Sequence, residues 1–450
     1  MSMRNMGPLR WLMPGIGVKR WLIVALIGAV LLIDGIGRYF VAEGSTLHVN
    51  EVIDDIADDF FSPSYLTWIF IAGGVLLVLV GVRQWARALV RAAAQPGERG
   101  ILDALIERRL QDGYKIVAVG GGTGLSTLLR GLKRRTSNLT AIVTVSDDGG
   151  SSGRLQQELG VLPPGDIRNC LVALADDEAL VTDLFQYRFS EGEGLSGHSF
   201  GNLFLAAMTG ITGNFDVAIK ESSRVLNIVG RVLPATLQAV RLCAEFADGT
   251  TASGESNIPK ARRKIRRVFF EPSPVEPFEE VIDAIRDADA IVLGPGSLFT
   301  SVLPNLLIDR IAAEIARSSA VKIYVCNVMT QPGETDDMTA ADHVEALFAN
   351  AGAKVCDYVV LNDEPPSKLR ASYAEERQLP VALDLERIAA MGLRTIEAAI
   401  LSEEANVRHN PERLADVVVD IVDRAVAERA TFVKPARAYV KATSATRAPR

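Results

Sequence analysis

Four glycines and a threonine between positions 120 and 124 form the group of residues best suited to binding a ligand. The run Gly120-Gly-Gly-Thr-Gly124 follows a short apolar run, Lys115–Val119, and precedes a leucine-rich amphipathic stretch. Glycines that end a strand let backbone N–H groups approach a phosphate closely, and the positive end of the next helix attracts the same charge. Leu125 stands where a Walker A motif has lysine, and the third glycine of a dinucleotide fingerprint is missing. A glycine turn with only a packing role is the alternative. The predicted phosphate-binding residues are Gly120, Gly121, Gly122, Thr123 and Gly124.

Two adjacent acids, Asp147 and Asp148, follow the second predicted strand, Ala141–Val145. An acid at this place in such folds usually binds a ribose, whereas paired carboxylates supply the oxygen ligands that Mg²⁺ prefers. Both interpretations stay open, and so does a turn-capping role for one of the pair. Mg²⁺ is the expected metal, and no tightly bound organic cofactor is predicted. Further phosphate contacts are predicted in the same glycine-rich segment at Gly149, Gly150 and Arg154.

Two polar segments, Pro163–Asn169 and Ser196–Asn202, supply the candidates for proton transfer. The small residues around His198 predict an open imidazole that contacts ligand or moves a proton. Asp166 is the second candidate, with a helix cap as the alternative. The phosphate-binding candidates of these segments are Arg168, Asn169 and Asn202.

Two later strands end in polar loops of the same kind. Gly294-Pro-Gly-Ser297 follows the apolar run Ala290–Leu293, and Asn327 and Thr330 follow Val321–Cys326. A weaker polar loop is Gly254–Asn257. Because open α/β sheets bind ligands at the carboxyl ends of their strands, these loops are expected to meet. The predicted ligand contacts here are Gly294, Gly296, Ser297, Asn327 and Thr330.

Short β-branched runs that alternate with helical patterns place these motifs in an α/β fold. We predict a Rossmann-like, doubly wound, mostly parallel sheet, with a helical stretch over Ile167–Leu226. Arg241–Glu255 predicts a β-hairpin around Asp248-Gly249. A net charge of −7 gives no support for a nucleic-acid partner, and the four separated cysteines do not match a zinc site.

Two apolar runs precede this fold, Trp21–Ile36 and Tyr65–Val82. Roughly 17–25 apolar residues cross a bilayer, so the second run is long enough and the first is at the lower limit. Arginines and lysines lie before the first run and after the second, and the positive-inside rule puts both flanks in the cytosol. We therefore expect a two-pass protein of the cell membrane, with its large domain in the cytoplasm.

The ordered motifs resemble those of the YvcK-type gluconeogenesis factors, which share a superfamily with CofD, the 2-phospho-L-lactate transferase. The resemblance covers Lys115–Asp384. It implies a CofD-like fold, binding of a nucleotide or UDP-sugar, and a role in cell-shape and cell-wall control during gluconeogenic growth. Most members lack an apolar hairpin, so the N-terminus departs from the family pattern. The predicted segments are a basic cytoplasmic N-terminus (1–20), a transmembrane hairpin (21–82), a juxtamembrane helical linker (83–114), a CofD/YvcK-like nucleotide-binding domain (115–430) and a basic, disordered tail (431–450).

Two functions follow from the resemblance. The first is a regulatory protein that binds a nucleotide-sugar without turnover. The second is a transferase of the 2-phospho-L-lactate type, in which Asp147, Asp148 and Mg²⁺ neutralise charge while His198 or Asp166 moves a proton. The incomplete fingerprint disfavours a nicotinamide oxidoreductase. The expected partners are the nucleotide ligand, the membrane and a second copy of the chain; no protein partner is named by the sequence.

Overall fold

A computed structural model describes residues 18–42, 63–93, 108–176, 178–367, 373, 375, 378–403 and 406–432. The chain divides into two compact units, Met1–Arg108 and Arg109–Arg450. The predicted tail falls almost entirely outside the described residues, as does the loop between the two apolar runs. The second unit contains every predicted site residue.

Two helices form the first unit, α1 (Val18–Ala42) and α2 (Pro63–Ala93). Glycines line their contact: a Cβ at Gly28 would lie 2.7 Å from the backbone N of Val78, and one at Gly74 would lie 2.7 Å from that of Leu32. The large apolar side chains point away from the contact, and Val30 and Leu76 are both more than 60% exposed. The unit therefore has small residues inside and large apolar residues outside.

One described helix has the length and composition needed to cross a bilayer, the part of α2 from Thr67 to Trp85, with 19 residues and a mean hydropathy of 1.7. The apolar part of α1, Ile23–Gly37, belongs to a shorter class of 10–17 residues. The expected hairpin of two spanning helices is therefore not supported, because α1 is helical but its apolar part is short. The first part of the predicted juxtamembrane helical segment is helical, since α2 continues without a break to Ala93.

The second unit is built on a seven-stranded sheet whose neighbouring strands are all parallel, in the order β10-β9-β8-β7-β1-β2-β3. This confirms the predicted doubly wound α/β fold. Within the sheet, the chain starts at the interior strand β1, moves outward to the edge strand β3, and then returns to β7 on the other side of β1. The strands are β1 Ile116–Gly120, β2 Leu139–Val143, β3 Arg231–Pro234, β4 Arg241–Phe246, β5 Thr251–Ser253, β6 Ile265–Glu271, β7 Ala290–Leu293, β8 Val321–Val325, β9 Tyr358–Asn362, β10 Arg394–Ala398, β11 Leu401–Glu403 and β12 Val407–His409.

Helices cover both faces of this sheet because successive strand residues point to opposite sides. In β1, Ile116 and Ala118 pack in one apolar core, whereas Val117 and Val119 pack in the other. The predicted helical stretch between the early and late strands is confirmed as four helices. The helices of the second unit are α3 Gly122–Leu132, α4 Gly150–Leu159, α5 Gly165–Leu174, α6 Glu178–Gln186, α7 Phe200–Thr212, α8 Phe215–Val225, α9 Glu279–Arg286, α10 Leu303–Leu306, α11 Ile311–Arg317, α12 Ala340–Ala351, α13 Leu385–Ala390 and α14 Pro411–Phe432.

Two smaller sheets complete the unit. The predicted hairpin is confirmed as antiparallel β4 and β5, and β6 pairs with β4 on its other side. Gly249 in the turn has φ +82°, the left-handed backbone that Asp-Gly was expected to supply. The other sheet is the ribbon of β11 and β12. The second strand of the main sheet ends at Val143, two residues earlier than predicted.

Candidate functional site

The loops after β1 and β7 meet where the strand order reverses, the place where open α/β sheets bind ligands. Gly124 fixes their approach, because a Cβ there would lie 2.5 Å from the carbonyl oxygen of Pro295. Asn327, after β8, ties the second loop: its Nδ2 donates to the Gly296 carbonyl at 2.8 Å, and its Oδ1 accepts from the Gly296 amide at 3.2 Å. The sheet therefore brings three of the predicted loops together.

A cleft of about 300 Å³ opens between these loops. Gly120 and Gly294 lie at the strand ends and do not line it. All the other predicted residues of these loops do, and they are Gly121, Gly122, Thr123, Gly124, Gly296, Ser297, Asn327 and Thr330.

Helix α3 points its first turn at this cleft. Its N-cap, Gly121, offers no side-chain cap, and the first turn holds no acid. The amide of Gly122 donates to Asp166, so the N–H groups that follow it in the first turn are the ones that can meet an anion. Gly122 has φ +61°, and a Cβ there would meet only Asp166 and Ser301, each at 3.9 Å. The space beside Gly122 is therefore open to a ligand.

The far wall of the cleft comes from residues that the sequence analysis missed: Tyr373, Gln378, Arg408 and His409. The hydroxyl of Tyr373 accepts a hydrogen bond from the amide of Val407 at 3.0 Å, so ribbon β11–β12 positions this wall. Burial lowers the pKa of His409 to about 4, which keeps its imidazole neutral near pH 7. The motif pattern held no signal for these residues because they follow no glycine-rich strand end.

Three carboxylates gather beside the cleft, each against a glycine. A Cβ added at Gly121 would clash with Asp166 Oδ2, and a Cβ added at Gly165 would lie 2.5 Å from Asp147 Oδ2. The third pair is Gly254 with Asp148. Side chains at these glycines would displace the acids, so the glycines make room for the cluster.

Burial raises the pKa values of three acids at this place, Asp166, Glu255 and Glu334, and repulsion from neighbouring carboxylates adds to the shift of the first two. The pKa of Asp166 is raised from 3.8 to about 7, first by burial and then by Asp147. The pKa of Glu255 is raised well above its usual range by burial and by Asp166. Glu334 also has a raised pKa because of burial, although Ser297 donates to its Oε1 at 2.6 Å. One buried oxygen of Glu255 and one of Glu334 have no hydrogen-bond partner.

Sequence reasoning ranked the Glu255 loop as weak, but the structure places it at the cluster. The amide of Ser256, in the same loop, donates to Asp148 Oδ1 at 2.9 Å. Asp147 Oδ1 accepts from the amide of Gly149 at 2.9 Å, so the turn-capping alternative is observed for this acid. The acidic residue within the loop Gly254–Asn257 was the available signal.

The carboxylate cluster fits a divalent cation in its donor chemistry. It offers oxygen ligands, excess negative charge and the unpaired oxygen of Glu255. Among the residues that the structure describes, no three such side chains come close enough to hold an ion by themselves. Mg²⁺ commonly takes one or two carboxylates and completes its shell with ligand phosphates and water, so the cluster suits a cation that arrives with a phosphate ligand.

The remaining predicted residues form a separate polar network that does not line the cleft. The expectation of an open imidazole at His198 is wrong: the residue is 2% exposed, because Ser151 at the start of α4 lies against it. The Nδ1 of His198 is 2.9 Å from Ser151 Oγ, and burial followed by Arg154 lowers its pKa. The other predicted residues here are Gly149, Gly150, Arg154, Arg168, Asn169 and Asn202.

Comparison with known proteins gives consistent matches. The family model of 2-phospho-L-lactate transferase CofD matches residues 116–401. The gluconeogenesis factor of Bacillus subtilis is 53% identical over 310 residues, which cover 68% of this chain and 98% of that protein. A crystal structure of a UPF0052 family member from Bacillus halodurans is 51% identical, has a TM-score of 0.66, and covers 68% of this chain and 99% of its own.

Other relatives extend further toward the N-terminus. A protein from Nostoc sp. that bears the gluconeogenesis factor name is 49% identical over 418 residues, which is 91% of each chain. A match over 91% of a 450-residue chain has to include part of the first 108 residues. At least part of the helical unit therefore has a counterpart in some relatives. The alignment with the Bacillus subtilis protein is shorter, 310 residues, and already covers 98% of that protein.

Proposed function

The chain belongs to the CofD-like family of gluconeogenesis factors, and from that membership we propose that it binds a nucleotide-sugar, of the UDP-sugar type, in the cleft between β1 and β7. The observation that carries the proposal is the meeting of two uncapped glycine loops at the switch point of the sheet. The positive end of α3 and the N–H groups of its first turn that follow Gly122 suit a diphosphate there.

The contacts divide by chemistry along the cleft. Gly122 and Gly296 would lie nearest the diphosphate, because neither places a side chain in its path. Tyr373 and Arg408, on the far wall, would contact the base or sugar by stacking and hydrogen bonding. Asp147 and Asp148 would hold Mg²⁺ against the phosphates of the ligand, and the ion would neutralise the negative charge of those phosphates.

A regulatory role fits this arrangement, because ligand binding by loops from both halves of the sheet could stabilise one conformation for a partner. The family resemblance connects that role with gluconeogenic growth and with cell-shape and cell-wall control. The second candidate is a phospho-group transferase. The carboxylate cluster favours it, since Asp166, with a pKa near 7, suits proton transfer at neutral pH.

A ligand screen tests the proposed function. We expect UDP-sugars with Mg²⁺ to raise the melting temperature of the full-length chain in detergent, because a ligand that binds only the folded state stabilises it. GDP and NAD are the comparison ligands. The Asp147→Asn, Asp148→Asn double variant should lose the Mg²⁺-dependent part of the shift. No shift with any UDP-sugar would contradict the proposal, and release of free nucleotide during incubation would favour the transferase.

We also propose that the helical unit tethers the protein to the cell membrane with the nucleotide domain in the cytoplasm. Its glycine-lined contact and outward apolar side chains suit lipid surroundings, where small residues let helix backbones pack closely. Arg83 lies at the end of the apolar part of α2 and Arg87 beyond it, and moving each through hydrocarbon would cost about 2.5–3.5 kcal/mol. That cost favours keeping them on the cytoplasmic side.

Thiol labelling tests this topology. We expect a cysteine at Ser45 to react with a membrane-impermeant reagent in intact cells, and one at Ser190, exposed in the second unit, to react only after permeabilisation. The native cysteines Cys170, Cys243, Cys326 and Cys356 are buried, so the background should be low. Labelling of the Ser190→Cys variant but not of Ser45→Cys in intact cells would reverse the orientation. If carbonate released the chain from membranes, that result would contradict the proposed membrane tether.

A further inference from the structure

Three helices of the second unit begin at one place, beside the network around His198. A Cβ at Gly165, the first residue of α5, would lie 2.6 Å from Ser152 Oγ in the first turn of α4. A Cβ at Gly201, in the first turn of α7, would lie 2.7 Å from the Cδ of Arg168 in α5. The positive ends of α4, α5 and α7 therefore converge.

A buried arginine lies at this convergence, hydrogen-bonded only to neutral oxygens, while the charges of Asp166 and Asp147 act on it from further away. Arg168 is 9% exposed, and its Nη1 donates to Ser199 Oγ at 2.7 Å and to Asn202 Oδ1 at 3.0 Å. Its Nη2 donates to Asn169 Oδ1 at 2.9 Å, while its buried Nε has no partner. A buried guanidinium held only by neutral oxygens retains charge that an anion could neutralise.

Two further arginines, Arg154 and Arg188, lie nearer the surface beside the segment Ser196–Gly197. Arg154 is half-buried and donates to the Ser196 carbonyl at 3.0 Å, and Arg188 is exposed and donates to the Gly197 carbonyl at 3.1 Å. Within the described part of the chain, neither of them nor Arg168 makes an ion pair. Their donor groups are held by neutral oxygens that a stronger acceptor could replace.

Helix α4 adds open donors at the same point. Its N-cap, Gly149, provides no side-chain cap, and its first turn holds no acid. Gly150 has φ +46°, and a Cβ there would find no atom within 4 Å, so space exists in front of the helix. Asp147 accepts a hydrogen bond from the amide of the N-cap Gly149. The first N–H groups within α4 remain available to a ligand.

From these contacts we infer a second anion subsite, in which Arg154, Arg168, Arg188 and the start of α4 bind a phosphate group distinct from the one held in the glycine cleft. None of these residues lines that cleft. Asp166 lies between the two places, with Gly121 on one side and Arg168 two residues further along its own helix. The subsite suits a phosphorylated second ligand or a distant phosphate of the nucleotide-sugar.

Phosphate titration tests the subsite separately from the proposed function. Calorimetry of the full-length chain in detergent, in a chloride buffer, should show saturable binding of inorganic phosphate. The Arg154→Gln, Arg188→Gln double variant should weaken that binding at least about tenfold, which corresponds to about 1.4 kcal/mol. Arg429→Gln is the matched control, because Arg429 is exposed and likewise donates to a backbone carbonyl, that of Ser319.

The Gly122→Val variant separates the two sites. It should keep phosphate binding at the arginines while losing the nucleotide. Phosphate binding that is lost in Gly122→Val but intact in the double arginine variant would overturn the subsite, and so would the absence of saturable binding. Phosphate titration in the presence of saturating UDP shows which ligand carries the phosphate that the subsite binds. An unchanged affinity for inorganic phosphate indicates a second molecule, whereas competition between UDP and inorganic phosphate indicates a phosphate of the nucleotide ligand itself.

Discussion

Replacement of Gly122 by valine is expected to abolish nucleotide binding. The Cβ of residue 122 would point into the open space at the start of α3, with Asp166 and Ser301 as the nearest neighbours at 3.9 Å. The two methyl groups of valine would then occupy the place of the diphosphate and block its approach to the helix N–H groups. We expect a loss of affinity of roughly 100-fold or more, about 2.7 kcal/mol, measured by calorimetry with the UDP-sugar found in the screen.

Backbone strain has to be separated from this loss. Gly122 has φ +61°, where an L-residue costs about 1–2 kcal/mol, so the variant is expected to melt at a lower temperature. Gly352, at the end of α12, has φ +66° and no atom within 4 Å of an added Cβ, which makes Gly352→Val a control of matched strain. Equal affinity losses in both variants, or an unchanged affinity in Gly122→Val, would rule out the proposed phosphate position.

Replacement of Asp166 by asparagine is expected to stabilise the protein at high pH. The pKa of Asp166 is about 7 in the fold, against an ordinary value of 3.8, because burial disfavours the charged carboxylate. Between about pH 4 and pH 7 the folded chain keeps a proton that the unfolded chain releases, so stability falls as the pH rises through this range. The full difference corresponds to roughly 4 kcal/mol above pH 7.

Asparagine removes this titration while keeping an oxygen that can accept from the amide of Gly122. At pH 8, without Mg²⁺, the Asp166→Asn variant should melt several degrees above the natural protein, and at pH 4 the two should melt together. The exposed Asp309 provides the control Asp309→Asn, which should leave the melting curve unchanged at both pH values. A lower melting temperature for Asp166→Asn at pH 8 would show that the charged carboxylate stabilises the fold.

The expected higher melting temperature of the Asp166→Asn variant would show that the natural carboxylate lowers the stability of the fold, a cost that a functional role would explain. Asp166, Glu255 and Glu334 lie together with raised pKa values, and repulsion among buried acids is costly unless a cation or a proton neutralises it. Gly121, which has no side chain, leaves room for Asp166. The same arrangement suits binding of Mg²⁺ with a phosphate ligand, which would remove the repulsion.

Local patterns were enough to predict the fold and the positions of the glycine loops. A buried strand, a glycine turn and an amphipathic helix are adjacent in the chain, so Lys115–Leu132 carries its own signal for β1, its loop and α3. The loops after β7 and β8 have the same local form. Because parallel strands align their carboxyl ends, the meeting of these loops followed from strand assignment alone.

Local patterns failed where a side chain's surroundings come from distant parts of the chain. His198 has small neighbours in sequence, yet Ser151, 47 residues away, buries it. Arg168 and Asn202 were assigned to the cleft because each follows a polar turn, but helix packing places them in a separate network. Burial depends on which helices pack together, and residue spacing within one segment does not report that packing.

The sequence by itself therefore determined the α/β class, the family and the glycine loops, all of which depend on short-range periodicity and on residues that tolerate unusual backbone angles. Only the tertiary structure decided which polar residues share a site. It joined Arg408 to Gly122 across one cleft and Glu255 to Asp166 in one cluster. It also separated Arg168 from that cleft. The physical reason is that desolvation and charge repulsion act through space, so a site's electrostatics exist only once the chain has folded.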